Sequence, residues 1–493
     1  MLTIEKLFFG YNDVIMPSEI DKDKLFDITL STEETKDNSL LFITEKVGDE
    51  DASFDITTIK SRPSAIVASK HLKISSYVCP VIRVGNVRAA LSFALSNLYH
   101  IDYGKIKIIG VTGSSGKTTT ATIIYKILKS CGYKVGFIGT GKIISDNTVL
   151  TQDNYSMTTP DPTLLYPSIA KMINDECKYI VMEVSSHAIA LGKTAPLKFE
   201  YSIFTNLDNE HLDFHKSKEE YFKTKLKLFE SSKTGLFNMD DEYSRLAYQL
   251  SSCEKRSFGV INVADAYATE IHTSMQENSF YYRESSLIFK ANTHIGGVFN
   301  VYNTLAALKC VIDIGIKPCI AKRAITAIEK IDGRMELQNG SINVVIDYAH
   351  TPNSFLNCIK TLKQNINIKQ KLILVFGCGG DRDVLKRPIF GHYAELYADK
   401  IIITEDNSRT ESFYDIANDI MKGMTKKPDK IIEDRESAIR YALLSASEGD
   451  VVALIGKGHE KYKIIGSEYV PFDERKIVDS ILSEMENDYE NTP

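Results

Sequence analysis

A glycine-rich loop between an apolar run and a helical pattern constrains the fold of this chain more than any other feature. The segment 110–120, GVTGSSGKTTT, follows the mostly apolar run 106–109 and precedes a helical pattern at 121–128. In such a strand–loop–helix unit, the loop amides and the helix N-terminus face an anion, the lysine adds a point charge, and a threonine hydroxyl can bind Mg²⁺. The spacing is a variant, since Val111 takes the usual first-glycine position and the glycine stands at Gly113. The loop predicts binding of ATP or a closely related nucleotide.

The composition is that of an ordinary globular chain with more than one domain. At 493 residues the chain is too long for a single core, so two to four domains are expected. The formal net charge of −6 and the lack of a basic arm argue against a nucleic-acid partner. No apolar window is long enough to span a bilayer, and the N-terminus has no signal-peptide pattern. The eight cysteines are scattered without zinc-ligand spacing, which is typical of a reducing compartment, so a cytoplasmic location is expected.

Alternating apolar strands and helical patterns predict an α/β protein with three domains. Residues 1–104 form a small α/β unit, and residues 105–332 and 333–493 each show βαβ alternation. This alternation implies parallel sheets covered on both faces, with ligands at the carboxyl ends of the strands. A short antiparallel excursion is predicted within 255–295, and the polar segment from Glu484 onward is predicted to fray.

Two strand ends of the predicted central domain carry acidic residues. Glu183 closes a strand, where an acidic residue beside a phosphate loop commonly holds Mg²⁺ on the nucleotide, although a solvated strand end is the alternative. The segment 205–215, TNLDNEHLDFH, closes another strand, and His211 there is a candidate ligand or a structural histidine. Lys225 lies near the border of an apolar helix face, and from its surroundings alone we predict a solvated lysine.

Four strands of the last domain are followed by charged or glycine-rich segments: DYAHTP at 347–352, GCGGDRD at 377–383, DNSR at 406–409 and GKGHE at 456–460. Arg382 and Arg409 could each bind a carboxylate through two hydrogen bonds, and Glu460 could pair with an ammonium group. The pattern therefore predicts a zwitterionic ligand such as an amino acid. Ordinary surface loops are the alternative.

The ordered motifs across residues 105–475 resemble those of the Mur ligase family, and most of all its MurE branch. The motifs are TGSSGKTTT, TTPDP, MEVSSHA, FTNLDNEHLDFH, YFKTKLKLF, GVFNVYN, DGRMEL, DYAHTP, GCGGDRD, DNSR and GKGHE. The resemblance implies a UDP-binding N-terminal domain, a central ATPase domain and a C-terminal Rossmann-like domain. It also implies an enzyme of peptidoglycan synthesis that uses ATP and Mg²⁺, and we expect the enzyme to be a monomer. The expected reaction adds a diamino acid, meso-diaminopimelate, to UDP-MurNAc-L-Ala-D-Glu through an acyl phosphate.

The resemblance also implies roles for individual residues. The ATP site it implies comprises Gly113, Ser114, Ser115, Gly116, Lys117, Thr118, Thr119, Asn303, Arg334, Asp347 and His350. The catalytic and metal-binding set it implies is Lys117, Thr118, Glu183, His211 and Lys225, the last as a carbamate that turns a cation into an anionic ligand. The UDP-sugar-peptide contacts it implies are Thr32, Thr158, Thr159, Ser185 and Lys193. The amino-acid pocket it implies comprises Arg382, Asp406, Asn407, Ser408, Arg409, Gly456 and Glu460.

The chain departs from the family pattern mainly at the UDP-sugar site. Ser31-Thr32-Glu33 stands where the family has Asp-Ser-Arg, and Leu191 and Lys193 replace a glutamine and an arginine. An arginine-to-lysine change at an anion-binding position is not conservative. In the amino-acid pocket, Ser408 replaces a proline. These departures leave two interpretations open, a diverged MurE or a paralogue that adds an amino acid to a different carboxylate, besides a nucleotide-binding protein without catalysis.

Overall fold

A computed structural model of the chain describes residues 1–44, 53–55, 58–74, 79–151, 155, 157–208, 210 and 214–490. Its secondary structure is mixed α/β with largely parallel sheets, so the predicted fold class is confirmed. None of the helices within the described ranges has the length and apolar character needed to cross a membrane.

The N-terminal part of the chain forms a six-stranded sheet and a small two-stranded one. Strands β1 to β8 are Leu2–Thr3, Val14–Ile15, Leu25–Thr29, Ser39–Phe42, Ser53–Phe54, Ala65–Ser69, Lys73–Ile74 and Val81–Val84, and helices α1 and α2 are Ile4–Leu7 and Val87–Leu98. The large sheet has the order β1-β3-β4-β6-β8-β2 with a parallel centre. Helix α2 begins at an Asn86 cap, whose side chain accepts a hydrogen bond from the Ala89 amide.

The central part contains an eleven-stranded sheet. Strands β9 to β19 are Lys107–Thr112, Val135–Gly139, Lys142–Ser145, Thr148–Val149, Tyr179–Glu183, Phe199–Phe204, Ser232–Asn238, Glu254–Gly259, Ala266–Thr273, Asn278–Glu284 and Leu287–Thr293. Helices α3 to α9 are Lys117–Ser130, Pro162–Asn174, Ser186–Ala190, Lys218–Glu230, Glu242–Leu250, Val298–Asp313 and Pro318–Thr326. The order is β12-β11-β10-β13-β9-β14-β15-β16-β17-β18-β19. The middle of the sheet is parallel and consists of β10, β13, β9, β14, β15, β16 and β17. Strands β17 to β19 are antiparallel, so the predicted excursion is confirmed.

Strand β9 shows why this sheet is covered on both faces. Ile108 packs in a core shared with helices α2, α4 and α6, while its neighbour Ile109 packs with helices α3 and α8. Side chains alternate along a strand, so a continuous apolar run places bulk on both faces. The carboxyl ends of β9, β13 and β14 therefore meet at one edge of the sheet, where the chain can carry polar loops.

The C-terminal part repeats this arrangement with a six-stranded sheet of order β20-β21-β25-β22-β23-β24. Strands β20 to β27 are Glu336–Gln338, Asn343–Asp347, Leu372–Phe376, Lys400–Ile403, Lys430–Ile431, Val451–Ile455, Tyr462–Ile465 and Glu468–Pro471. Helices α10 to α14 are Pro352–Gln364, Lys386–Tyr397, Phe413–Met421, Arg435–Leu444 and Glu474–Glu490. Helix α14 continues to Glu490, so the segment predicted to fray from Glu484 is helical that far; the helix buries Val478 and Ile481, and Glu484 pairs with Arg440 at 2.6 Å.

Candidate active site

The phosphate loop joins β9 to the first turn of helix α3. Gly116 caps that helix with φ of 85°, and a Cβ atom there would lie only 2.3 Å from Oδ1 of Asn303. Both the positive φ and the close approach require glycine. Lys117 curls back over the loop, and its Nζ donates to the carbonyl oxygens of Gly113 at 2.9 Å and Ser114 at 2.7 Å. The loop is thus preshaped around a lysine charge.

Glu183, at the end of β13, is fully buried beside this loop. One carboxylate oxygen accepts a hydrogen bond from the Thr118 hydroxyl at 2.8 Å, and the other accepts from the Thr140 amide at 2.9 Å. The Thr118 oxygen also accepts from Nη2 of Arg334 at 3.0 Å, and the Thr140 and Thr158 hydroxyl oxygens are 3.0 Å apart. A hydroxyl and a carboxylate side by side next to a phosphate loop are oxygen ligands suited to Mg²⁺.

Lys225, on helix α6, is buried rather than solvated, so the interpretation from its surroundings alone is wrong. Its side chain is 1% exposed, and Nζ donates to the Gly113 carbonyl oxygen at 2.9 Å. Burial, with the nearby Lys117 charge, lowers the pKa of Lys225 well below its ordinary value, although Glu210 opposes the shift. The amine also lies 4.5 Å from the centre of the Tyr221 ring. The apolar pattern of helix α6 does not predict this burial, because the helix buries residues at the border of its apolar face as well.

The segment after β14 connects the phosphate loop to the last domain. The Tyr221 hydroxyl donates to Glu210 at 2.7 Å and lies 3.1 Å from the Ser114 hydroxyl. The Asp208 amide donates to that same Ser114 hydroxyl at 2.9 Å, while its carboxylate accepts from the amide group of Asn353 on helix α10. The predicted metal ligand His211 lies outside the described residues.

Asp347, at the end of β21, is held by two backbone amides. Its carboxylate oxygens accept from the amides of Met335 and Ala349, each at 2.7 Å. Burial raises the pKa of Asp347, and Arg334 partly opposes this. The Arg334 guanidinium lies 4.6 Å from the centre of the Tyr348 ring, a cation–π geometry that holds it against the last domain while its Nη2 reaches the phosphate loop.

His350 faces the space between the central and last domains. Its side chain is exposed to that space, yet the protein that surrounds the cleft, with the charge of Lys386, desolvates the ring and lowers the pKa of His350 to about 3. The ring is therefore neutral at physiological pH. Its Nδ1 atom lies 3.2 Å from the Tyr348 carbonyl oxygen.

The ends of β23 and β25 form a compact polar cluster. Nζ of the fully buried Lys457 lies 3.3 Å from Asp406 and 3.1 Å from Glu460, and it donates to Oδ1 of Asn407 at 2.8 Å. The Asn407 amide group donates to Glu460 at 3.0 Å. Burial would raise the pKa of Asp406, but Lys457 and Arg435 outweigh it and lower that pKa. Burial raises the pKa of Glu460 despite Lys457.

Arg409 stands beside this cluster in a left-handed backbone conformation with φ of 52°. The β26–β27 hairpin holds that conformation, because the Arg409 amide donates to the Ile464 carbonyl oxygen at 3.1 Å. Its guanidinium donates to the carbonyl oxygens of Gly380 at 2.7 Å and Asn407 at 3.3 Å. Arg382 lies exposed on the neighbouring loop. Arg409 thus lies beside the two carboxylates of this cluster.

The residues that the resemblance places at the UDP-sugar peptide fall in two regions. The Thr159 hydroxyl donates to the Glu183 carbonyl oxygen at 2.9 Å and accepts from the Ser185 amide at 3.0 Å. Lys193 forms an ion pair with Asp161 at 2.7 Å. Thr32 instead lies in the N-terminal domain after β3 and does not line the described cleft.

One cleft of about 790 Å³ between the central and last domains brings most of the predicted residues together. Those that line it are Ser114, Ser115, Gly116, Lys117, Thr118, Thr119, Thr158, Thr159, Glu183, Ser185, Lys193, Asn303, Arg334, Asp347, His350, Arg382, Asp406, Asn407, Arg409, Gly456 and Glu460. The predicted residues that do not line it in the described structure are Gly113, Lys225, Thr32 and Ser408. Across the described residues, no group of three or more histidines, cysteines and carboxylates could hold a metal ion.

Three residues of the site region were not singled out from the sequence. Lys457 lies inside the GKGHE motif, and Thr140 directly follows a parallel strand, which is a position that favours ligand contacts. Arg387 is 1% exposed and pairs with Glu411 at 2.8 Å and Asp419 at 3.0 Å, so it ties together the loops that carry Arg382 and Arg409. Its partners are distant in sequence, so no local pattern predicts the pairing.

Comparisons with known proteins show the family of this chain. Two family models match, the Mur ligase middle domain over residues 111–311 and the Mur ligase, glutamate ligase domain over residues 333–458. The UDP-N-acetylmuramoyl-L-alanyl-D-glutamate–2,6-diaminopimelate ligase of Caldanaerobacter subterraneus subsp. tengcongensis is 40% identical over 435 residues, which are 87% of this chain and 88% of that protein. The ligase of the same name from Clostridium tetani is 35% identical over 484 residues, covering 96% and 98%.

A solved structure of a ligase with this name superposes with a TM-score of 0.66 at 25% identity and covers 98% of this chain and 99% of that one. Identity of 35–40% over most of both chains shows common membership. This chain belongs to the Mur ligase family and is an ATP-dependent ligase.

Proposed function

We propose that this enzyme adds 2,6-diaminopimelate, expected as the meso isomer, to the D-glutamate carboxylate of UDP-MurNAc-L-Ala-D-Glu in peptidoglycan synthesis. The observation that carries this proposal is that Asp406, Glu460 and Arg409 line the same cleft as the phosphate loop. Carboxylates bind an ammonium group and an arginine binds a carboxylate, so the pocket suits a zwitterionic centre. The printed names of the relatives point to the same substrates.

The residues around Lys117 fit the phosphates of ATP as a substrate. The cleft presents the first turn of helix α3, whose N-terminus favours an anion. Nε of Arg334 is buried and, within the described residues, donates to no acceptor, so a phosphate oxygen would satisfy it. Thr118 and Glu183 would hold Mg²⁺, which neutralises phosphate charge when bound. Asn303 and Asp347 are proposed as adenine and ribose contacts.

The proposed reaction has two covalent steps. The glutamate carboxylate oxygen attacks the γ-phosphorus of ATP, which forms an acyl phosphate and releases ADP. The deprotonated amine of the amino acid then attacks the acyl carbon; the tetrahedral adduct loses one N–H proton to solvent, and its collapse forms the amide and breaks the bond to phosphate, which leaves. Lys117 and Arg334 stabilise charge on the transferred phosphoryl group, while Asp406 and Glu460 hold the distant end of the amino acid.

We further propose that Lys225 acts as a carbamate. Its depressed pKa leaves the amine neutral, and a neutral amine can attack CO₂ to give a carbamate and one proton. The product would place an anionic oxygen pair beside Gly113, where the unmodified side chain offers only a donor. The resemblance implies a second Mg²⁺ besides the one at Thr118, and the Lys225 carbamate, Glu183 and His211 would be its ligands.

A different carboxylate acceptor is the second candidate. It is favoured by Thr32, which does not line the cleft, and by Lys193, whose ammonium is already paired with Asp161. The first candidate is favoured by the Clostridium tetani relative, which matches across 96% of this chain and so includes the N-terminal domain. Domain boundaries at 104/105 and 332/333, a monomeric state and a cytoplasmic location stay predictions.

The test is phosphate release with ATP, Mg²⁺ and UDP-MurNAc-L-Ala-D-Glu, with meso-diaminopimelate, L-lysine or no amino acid. Release that depends on diaminopimelate and is lost in Lys117→Ala supports the proposal. Release with L-lysine instead would keep the ligase but reject the assigned pocket. No release with any amino acid, from protein that still binds ATP, would favour the different acceptor.

A further inference from the structure

Lys457 lies directly behind the amino-acid pocket and has no surface of its own in the cleft. Its side chain is 0% exposed, and its ammonium lies within 3.3 Å of Asp406 and 3.1 Å of Glu460. It also donates to the Asn407 side-chain oxygen at 2.8 Å, and that oxygen accepts the Ile464 amide at 2.9 Å as well. One buried cation therefore contacts all three polar side chains that form this side of the pocket.

The cluster of Asp406, Glu460 and Lys457 carries two negative charges and one positive charge when ionised, a net of one negative charge. That charge matches a single ammonium group. Arg409, beside the cluster, can then take a carboxylate. The two halves together match a centre that carries both groups, whereas a lone ammonium would leave the arginine without its anion.

We propose that Lys457 is a positioning residue that makes the pocket selective for an amino acid whose far end carries both an ammonium and a carboxylate. The inference rests on the proposed function and extends it. Without Lys457, the two carboxylates that face the ammonium would lose the buried cation that lies beside both of them. The pocket would then attract any cation more strongly. The contact between Arg409 and a substrate carboxylate would therefore contribute less to discrimination between amino acids with and without that carboxylate.

A purely structural role makes a different prediction. If Lys457 only held the loops together, its loss would weaken binding of every amino acid by the same factor. The selectivity ratio separates the two roles, since it divides out a common loss of affinity. Asn407 and Ile464 still link the two loops in the absence of Lys457.

The experiment is calorimetric binding of meso-diaminopimelate and of L-lysine to the full-length enzyme in the presence of ADP and Mg²⁺. Lys457→Met should lower the ratio of diaminopimelate affinity to lysine affinity by roughly tenfold or more, because a buried charge partner is removed. Lys309→Met is the matched control. Lys309 is 2% exposed between Glu284 at 2.7 Å and Asp313 at 2.6 Å, and it is not a cleft residue, so its loss should leave the ratio unchanged.

A second variant keeps the test decisive if Lys457→Met folds poorly. In Lys457→Met/Glu460→Gln the cluster again carries one negative charge, so the ratio should return to within about threefold of wild type even with weaker binding overall. An unchanged ratio in the single variant, or no recovery in the double variant, would overturn the inference. Equal loss for both ligands would show a structural role. If diaminopimelate binds but no phosphate is released with UDP-MurNAc-L-Ala-D-Glu, the proposed acceptor is refuted and the result on the pocket stands. If neither amino acid binds to the wild-type enzyme, the proposed function and the role of Lys457 are both overturned.

Discussion

Nζ of Lys225 lies 2.9 Å from the carbonyl oxygen of Gly113, so a buried lysine of helix α6 touches the phosphate loop. Its ammonium form is disfavoured by burial and by Lys117, which lowers its pKa well below the ordinary value. A lysine in this state is a nucleophile at neutral pH. The contact therefore links the modification state of one side chain to the geometry of the ATP site.

Activity should depend on CO₂ through Lys225. Enzyme treated with a chelator in CO₂-free buffer should lose activity and regain it on addition of bicarbonate and Mg²⁺. Lys225→Ala should lose about 10²-fold or more in kcat, because an anionic ligand at the phosphate transfer site is removed. Lys223→Ala is the control, since Lys223 is exposed on the same helix. Full activity in Lys225→Ala, or indifference of wild type to bicarbonate, would reject the carbamate.

Glu183→Gln should weaken metal binding more than ATP binding. The amide keeps most of the volume but loses the charge beside Thr118, so the Mg²⁺ concentration for half-maximal activity should rise by roughly tenfold or more. Titrations of Mg²⁺ at saturating ATP measure this. Glu200→Gln is the control. Glu200 pairs with Lys233 at 3.1 Å at the amino ends of β14 and β15, away from the strand ends that carry the site, so its loss should leave the Mg²⁺ titration unchanged. An unaltered Mg²⁺ requirement in Glu183→Gln would exclude its role as a ligand.

The sequence predicted those parts of the site that follow from strand order. Glu183 and Asp347 were found because both close apolar runs, and parallel strands bring such ends to one edge. Lys225 and Lys457 were harder to predict, since the burial of a lysine depends on which elements pack over it. The helix pattern alone predicts a solvated Lys225, which is wrong, and no sequence pattern distinguishes Lys457 from the other residues of the GKGHE motif. Long-range pairs such as Arg387 with Asp419 leave no periodic signal at all.

The position of the GKGHE loop, near the junction of the central and last domains, should depend on Gly333. A Cβ atom there would lie 2.2 Å from the His459 amide nitrogen and 2.3 Å from the Gly458 carbonyl carbon. Gly333→Ala should therefore displace the loop that carries Glu460 from the phosphate loop and lower kcat by about 10²-fold. Gly466 is the matched control, because its φ of 58° resembles the 63° of Gly333 but a Cβ there meets nothing within 4 Å.

Gly466→Ala should thus show only the conformational cost of a left-handed residue, roughly 1–2 kcal/mol, with kcat retained. Steady-state kinetics and thermal unfolding on both variants make the comparison. Equal kinetic losses in the two variants would mean that backbone strain, and not the contact with the GKGHE loop, limits the enzyme.

The stability of the segment that joins these domains should depend on the ionisation of Glu336. Burial would raise its pKa, but hydrogen bonds from Arg475, from the Gly333 amide and from Lys330 outweigh burial and lower that pKa from 4.5 to about 2. A carboxylate with a depressed pKa stabilises the folded state above the unfolded pKa, and that contribution is lost as the pH falls toward the folded pKa. Above about pH 5 the contribution of Glu336 is therefore complete.

Glu336→Gln should lower the free energy of unfolding at pH 7 by about 3 kcal/mol, which is the pKa difference converted at 1.36 kcal/mol per unit. The difference in the free energy of unfolding between wild type and variant should become smaller as the pH falls from about 5 to about 2, because Glu336 takes up a proton in the unfolded wild-type chain before it does so in the folded one. Urea unfolding at several pH values measures both. Glu484→Gln, which breaks an exposed pair with Arg440, should produce no measurable change at either pH. A gap that stays constant with pH would mean that packing, not charge, makes Glu336 important.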